Sequence, residues 1–268
     1  MSIRNVFMFG GQGSQYYGMG RELFSAHPVF ERSMRALDTM FGDFGIPGLL
    51  HEVYPPDGSE RMSFDTLRHT HPAIAMIQLA LFDALAADGV EPDCLIGYSL
   101  GESVAATVAG VLDRERLVAA VVEQVRLVEK NCSPGAMSAI LGAVGELYDP
   151  AERQWEGVDL AAVNHDRHFV VSGASETIGR IEERLRARGI TCVRLPVRYA
   201  FHSPAVDAVA EPYLRLLSGI PLRQPRIRLL SSALVAEVTD PAPETLWRNV
   251  PRPDRVSRHG PSARGAAR

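Results

Sequence analysis

A chain of 268 residues, 46% hydrophobic and 22% charged, carries enough apolar side chains for one large domain or for a domain holding a smaller insert. A formal net charge of −4 and a pI near 6.1 exclude the basic footprint of a nucleic-acid binder or an anionic-membrane binder. The three cysteines, Cys94, Cys132 and Cys192, lie far apart with no Cys-x-x-Cys spacing, which excludes a zinc ribbon or a disulfide framework and leaves buried free thiols in a cytoplasmic protein.

The opening "MSIRNVFMFGGQGSQ" is too short in apolar residues for a signal peptide, and no window reads as apolar enough for a membrane span. Val6 to Phe9 predicts a short buried strand, with "GGQGSQ" as a Gly-rich turn behind it and a helix from near Gly18 past Phe24. The segment 44–62 is punctuated by Pro and Gly and reads as loop with helical fragments. "HPAIAMIQLALFDALAADG" is apolar on all sides at helical spacing, which predicts a buried helix ending at Gly89. A strand at Cys94 to Ile96, a turn, an Ala/Val-rich helix and the helix "DRERLVAAVVEQVRLVEK" follow.

From Ser133 to Pro196 the pattern changes to short β-rich runs, "AMSAILGA", "VDLAAVN", "HFVVSGA" and "TCVRLPV", separated by helical "DPAERQWE" and "ETIGRIEERLRARG". That βαββαβ order predicts a ferredoxin-like subdomain over 133–196, inserted in a larger α/β subdomain made of 1–132 and 197–250. A helix is expected from Pro204 to Leu217. Residues 251–268, "PRPDRVSRHGPSARGAAR", lack periodicity and read as a disordered tail.

The chemistry centres on "IGYSLGE". Its Gly-x-Ser-x-Gly spacing between a strand and a helix is that of a nucleophile on a sharp turn, with Ser99 exposed at the turn and the free N–H of Leu100 available to an oxyanion. A serine needs a base. His165 and His168 fall in the small subdomain, His27 and His51 in loops and His259 in the tail, while His69 and His71 stand where a helix start needs capping. His202 in "YAFHSP" lies where the chain returns to the large subdomain, close enough in topology to reach Ser99. On position alone, base and junction-packing roles for His202 stay open. The N–H of Gln12, flanked by glycines, could complete an oxyanion hole or belong to a plain tight turn. A phosphate-binding Walker loop is excluded, because no Gly-Lys-Ser/Thr follows.

"FMFGGQGSQYYGMG", "HTHPAIAMIQLAL", "IGYSLGESVAATVAGVL", "VNHDRHFVVSGA" and "YAFHSP", in this order, resemble the malonyl-CoA:acyl carrier protein transacylases and the acyltransferase domains of polyketide synthases over about residues 4 to 250. The resemblance implies an α/β-hydrolase-like large subdomain with an inserted ferredoxin-like small one, and a Ser-His enzyme working through an acyl-serine without metal or organic cofactor. It makes Ser99 the nucleophile, His202 the base, and Gln12 and Leu100 the oxyanion-hole positions. It also implies that the backbone carbonyl of Asn249 orients His202 and that Asn164 lines the site.

Departures from that family lie at the substrate end. Tyr98 stands where malonyl transferases have His, and "YAFH", with Phe201, matches neither common extender-unit signature. Counted without gaps, Gln124 occupies the place of the family's carboxylate-binding Arg, and Arg126 is on another helix face. A neutral amide cannot replace the paired charge-assisted bonds of a guanidinium. In these respects the chain resembles the acyl hydrolases of trans-acyltransferase pathways. That resemblance implies clearance of acyl groups from an acyl carrier protein, docked through its phosphopantetheine arm, by a monomer. The alternatives are a transferase loading malonyl or another acyl unit from acyl-CoA, and an inactive docking module.

Overall fold

The computed structural model describes residues 4–56 and 63–247. β1 (Val6–Phe9) is followed by α1 (Arg21–Ala26), α2 (Pro28–Asp43), α3 (Leu49–Val53) and α4 (Leu67–Ala87). Then come β2 (Cys94–Gly97), α5 (Leu100–Val108) and α6 (Arg114–Asn131). The middle of the chain forms β3 (Ala136–Leu141), α7 (Val144–Leu147), β4 (Val158–His165), β5 (His168–Gly173), α8 (Ser175–Ala187) and β6 (Thr191–Arg194). It closes with α9 (Ala210–Ser218), β7 (Arg228–Ser231), β8 (Ala236–Glu237) and α10 (Pro243–Trp247). The expected tail at 251–268 and Asn249 lie outside the described residues.

β1, β2 and β7 run parallel in the order β1-β2-β7, and β8 adds an antiparallel edge. Phe9 pairs with Gly97 and Gly97 with Ser231, so the three strands end level and their C-terminal turns converge on one edge of the sheet. That edge is where open α/β sheets bind ligands. The second sheet is antiparallel in the order β4-β5-β3-β6, which puts the first strand of the βαββαβ unit inside and the fourth at an edge. The α/β-hydrolase-like and ferredoxin-like parts are those expected from the sequence.

Strand alternation distributes the side chains of β3 between two cores. Ala136 and Ile140 pack with Trp155, Phe169 and the Ile178, Ile181 and Leu185 stripe of α8, while Met137 and Ala139 join the large core. The insert is therefore covered on both faces. In the large core α4 packs against α2, α5 and α6. By length and composition α4 is long and apolar enough to cross a membrane, contrary to the expectation that no window would be. Its Ala73, Ala75, Met76, Leu79 and Ala80 are fully buried, as in a central core helix. Arg114 holds Asp83 of α4 by a bidentate pair at 2.8 and 2.5 Å, and the Ser33 hydroxyl of α2 donates to the same carboxylate at 2.5 Å.

Three expected elements differ. "DPAERQWE" forms no α-helix: the helical turn is displaced to α7, and Arg153–Trp155 is a 3₁₀ turn. Pro150 disfavours helix at Asp149, whose carboxylate instead accepts from the Ala151 N–H at 2.9 Å. The helix expected over 204–217 is a 3₁₀ segment, Pro204–Val209, followed by α9. α4 starts four residues ahead of the quoted apolar run, at Leu67, which leaves Pro72 inside it.

The 3₁₀ turn delivers Trp155 into the small core, against Tyr148 at 4.9 Å between ring centroids, with its Nε1–H unpartnered among the described residues. Trp155→Phe deletes that orphaned donor along with part of the ring, so its effect on urea unfolding should stay within about 1.5 kcal/mol. Trp155→Ala should cost about 3–5 kcal/mol. A Trp155→Phe loss well above that bound would show that deleting the buried N–H brings no relief.

Candidate active site

The nucleophile elbow is built by close approach of two turns. After β2 the backbone of Ser99 adopts φ 52°, ψ −127°, a conformation that costs a non-glycine residue on the order of 1–3 kcal/mol. A Cβ on Gly101 would stand 2.0 Å from the Phe9 carbonyl oxygen, and one on Gly11 would stand 2.7 Å from the Ser99 Cβ. Only glycine at both places lets the Gly-rich turn after β1 lie against the elbow. The amide N–H groups of Gln12 and Leu100 have no acceptor among the described residues, and both residues border the same cavity as Ser99.

His202 arrives from the other direction. Where the chain leaves and re-enters the large subdomain, Pro134 bridges Tyr199 and the Gly135 N–H donates to the Arg198 carbonyl at 2.8 Å. The turn beyond is closed by the Ser203 hydroxyl on the Ala200 carbonyl at 2.6 Å, with His202 at φ 58°. Ser99 Oγ lies 2.9 Å from His202 Nε2. Ser99 and His202 are two of only three non-glycine residues with positive φ among the described residues, so backbone strain is concentrated where side chains meet.

The cavity over this pair is walled by Gln124 from α6, Ser103 one turn past Ser99, Phe201 and Leu246. Gln124 is 5% exposed. Arg126 turns away, donating to the Phe44 carbonyl at 2.7 Å and pairing with Glu123 at 3.7 Å. No Arg, Lys, Asp or Glu borders the cavity among the described residues.

Ser99, His202, Gln12, Leu100, Gln124 and Phe201 border one cavity. Tyr98 and Asn164 do not. Tyr98 does not border the cavity and is 39% exposed. Asn164 is exposed near the end of β4, where its amide reaches His168 across the hairpin at 3.4 Å. The β4–β5 register, with a bulge between Val163 and His165, turns it toward solvent instead of the site.

Two residues take places that the sequence does not reveal. His71, expected to cap a helix start, lies a turn inside α4, 4% exposed, stacked on Phe201 at 5.4 Å and bordering the cavity; His69 pairs with Glu52 at 3.1 Å. Glu102 is buried and accepts from the Ser231 and Ser232 hydroxyls at 2.7 and 2.8 Å and from the Ala233 N–H at 2.8 Å. Burial pushes its carboxyl up, and these donors pull against that shift. Ser-x-x-Glu at 99–102 has the form of a capping box, but Ser99 makes no side-chain cap, and Glu102 ties α5 to the end of β7.

Residues 6–253 match the family described as "Acyl transferase domain". The chain is 42% identical over 254 residues, 93% of its length and 77% of the other's, to "Polyketide biosynthesis acyltransferase homolog BaeD" of Bacillus velezensis. It is 38% identical over 227 residues, 85% of its length and 70% of the other's, to "Polyketide biosynthesis acyltransferase homolog PksD" of Bacillus subtilis. Among solved structures, a loading acyltransferase from the avermectin modular polyketide synthase superposes with a TM-score of 0.83 at 29% identity, covering 93% of this chain and 80% of that one. The chain belongs to the acyl transferase domain family.

Burial lowers the His71 pKa from 6.5 to about 3, so its ring stays neutral down to that pH. As pH falls below 6.5 the unfolded chain takes up a proton there that the folded chain refuses until about pH 3. Stability should therefore be constant from this group above pH 6.5 and fall by up to about 1.4 kcal/mol per pH unit between 6.5 and 3. Urea unfolding at pH 7, 5.5 and 4 should show a shallower acid loss in His71→Gln than in the unaltered protein; identical slopes would mean that the imidazole is protonated in the fold.

Proposed function

We propose that the protein is a Ser-His acyl hydrolase of polyketide biosynthesis that clears acyl groups from acyl carrier protein thioesters. The observation that carries this reading is the 2.9 Å Ser99–His202 contact inside a cavity with two free amide N–H groups and Gln124 in place of a cation. Family membership and the names of the two Bacillus relatives support the pathway. The three free thiols suit a cytoplasmic protein.

His202 Nε2 takes the Ser99 hydroxyl proton as Oγ bonds to the thioester carbonyl carbon, and the N–H groups of Gln12 and Leu100 hold the oxyanion. The C–S bond then breaks, and the proton passes from His202 to the departing pantetheine sulfur. In the second half His202 takes a proton from water, whose oxygen attacks the acyl ester. The bond from carbon to Oγ breaks, the proton returns to Ser99, and the free acid leaves.

Gln124 decides the acyl class. A buried carboxylate without its cation costs about 3–5 kcal/mol, a few hundred- to a few thousand-fold, which disfavours malonyl over neutral acyl groups. The second reading, transfer of the acyl group to another thiol, is supported by the acyltransferase homologs and structures to which the chain is similar. It uses the same residues and differs only in what attacks the acyl-serine.

Intact-mass spectrometry of acetyl-, butyryl- and malonyl-loaded carrier protein, with and without an unloaded acceptor, tests both. Free acid from the acetyl and butyryl thioesters without an acceptor is expected; acid release only when an acceptor is absent, with transfer dominating in its presence, would favour the second reading. Ser99→Ala should form no acyl-enzyme, and a persisting adduct would remove the assignment. His202→Ala should slow acylation by roughly 10²- to 10⁴-fold. Gln124→Arg should gain malonyl acylation and lose activity on neutral thioesters. Efficient malonyl loading by the unaltered protein, indifferent to Gln124→Arg, would sink the hydrolase reading.

A further inference from the structure

Two residues that border the same small cavity each carry a buried side-chain atom unpartnered among the described residues: Gln12 Oε1 and His71 Nδ1. The Gln12 Nε2 donates to the Thr70 hydroxyl at 2.8 Å, so the amide is tethered to the residue next to His71, and its oxygen is the end left over. His71 is fixed by its stack on Phe201 and by burial in α4. An orphaned buried acceptor is a cost to the fold that a complementary ligand removes.

The chemistry of the pair selects among acyl substituents. Gln12 Oε1 only accepts, and the neutral imidazole offers either a donor or an acceptor at Nδ1. With the proton on Nδ1, a hydroxyl serves both, donating to the amide oxygen and accepting from the Nδ1–H. A ketone can serve only His71, an alkyl group serves neither, and a carboxylate sets negative charge against the Gln12 oxygen with no cation nearby. The hydroxyl of Ser103 and the amide of Gln124 keep the rest of the wall polar but uncharged. Gln12 and Ser99 border the same small cavity, so a substituent that reaches the Gln12 side chain belongs to the part of the acyl group near its carbonyl.

We propose that the cavity prefers acyl groups bearing a hydroxyl on carbon 2 or 3, held between the side chains of Gln12 and His71. The inference rests on the reading of this cavity as the acyl site and names the substrate class that fits it.

The test measures acylation of Ser99 in the full chain by quenched intact-mass spectrometry, with pantetheine thioesters of butyrate, 2-hydroxybutyrate, 3-hydroxybutyrate and 3-oxobutyrate. At least one hydroxybutyryl thioester should exceed butyryl in kcat/KM by roughly tenfold or more, because the butyryl chain leaves the buried pair unsatisfied. His71→Phe keeps a ring against Phe201 and deletes Nδ1, and should bring that ratio close to one; His71→Gln should restore part of it. Thr70→Val, which releases the Gln12 amide from its tether, should lower the ratio as well and decides the matter if His71→Phe does not fold. Equal acylation by hydroxybutyryl and butyryl thioesters overturns the proposal, as does a ratio unmoved by the His71 and Thr70 variants. Because acyl-Ser99 is read before water or a thiol intervenes, selective acylation followed by transfer leaves this inference standing and removes hydrolysis. No acylation from any thioester removes both.

Discussion

The parallel pairing of β1 with β2, in a register that ends both strands level, is the constraint on which the site depends. It drives the Gly-rich turn into the elbow at distances that no Cβ tolerates, and from that contact come the positions of the Gln12 and Leu100 amides relative to Ser99. A slip of one residue would turn the strand faces over and separate the turns. β7 completes the arrangement, because Ser231 ends level with Gly97 and its hydroxyl reaches the Glu102 carboxylate at 2.7 Å. Strain at Ser99 is thus held by three strands and by a buried carboxylate clamped with three donors, not by the turn alone.

Much of this was legible in the sequence because local signals and long-range architecture agreed. Gly-x-Ser-x-Gly between a strand and an Ala/Val-rich helix, and the βαββαβ alternation, are short-range patterns with few physical alternatives. His202 was legible only through the resemblance; its approach to Ser99 depends on the bridge at Pro134 and Tyr199, sixty-odd residues apart in sequence, which no local pattern encodes. Gln124 could be located by counting along ungapped helix, and its burial follows from the inward face of α6.

The misreadings have physical causes. "DPAERQWE" has helical composition, but Pro150 and the pull of Trp155 into the small core outweigh the weak nucleation of so short a helix. His71 resembled a capping residue because Pro72 marks a first turn, whereas Leu67 and Thr70 carry the helix one turn further back and bury the ring. The place of Asn164 rests on the resemblance alone, and along a strand one bulge is enough to reverse a side chain.

The site's electrostatics follow from what the walls exclude. Gln124 is neutral, His71 is held neutral by burial, and Glu102, a buried carboxylate close to Ser99 in sequence, is engaged by the β7–β8 turn and does not border the cavity. Fixed charge is therefore absent from the cavity wall among the described residues; on the proposed mechanism the oxyanion would meet the Gln12 and Leu100 N–H dipoles beside the imidazolium formed on His202, and such dipoles stabilise most strongly in a dry enclosure. The same neutrality limits recognition of the acyl group. With no ion to grip, discrimination comes from shape and from single uncharged hydrogen bonds, each worth about 1–3 kcal/mol when its loss leaves a buried partner unsatisfied. On the proposed reading, such a wall would separate hydroxylated from plain chains by modest factors and turn away carboxylates, since a buried anion would find neither a cation nor water to replace its hydration.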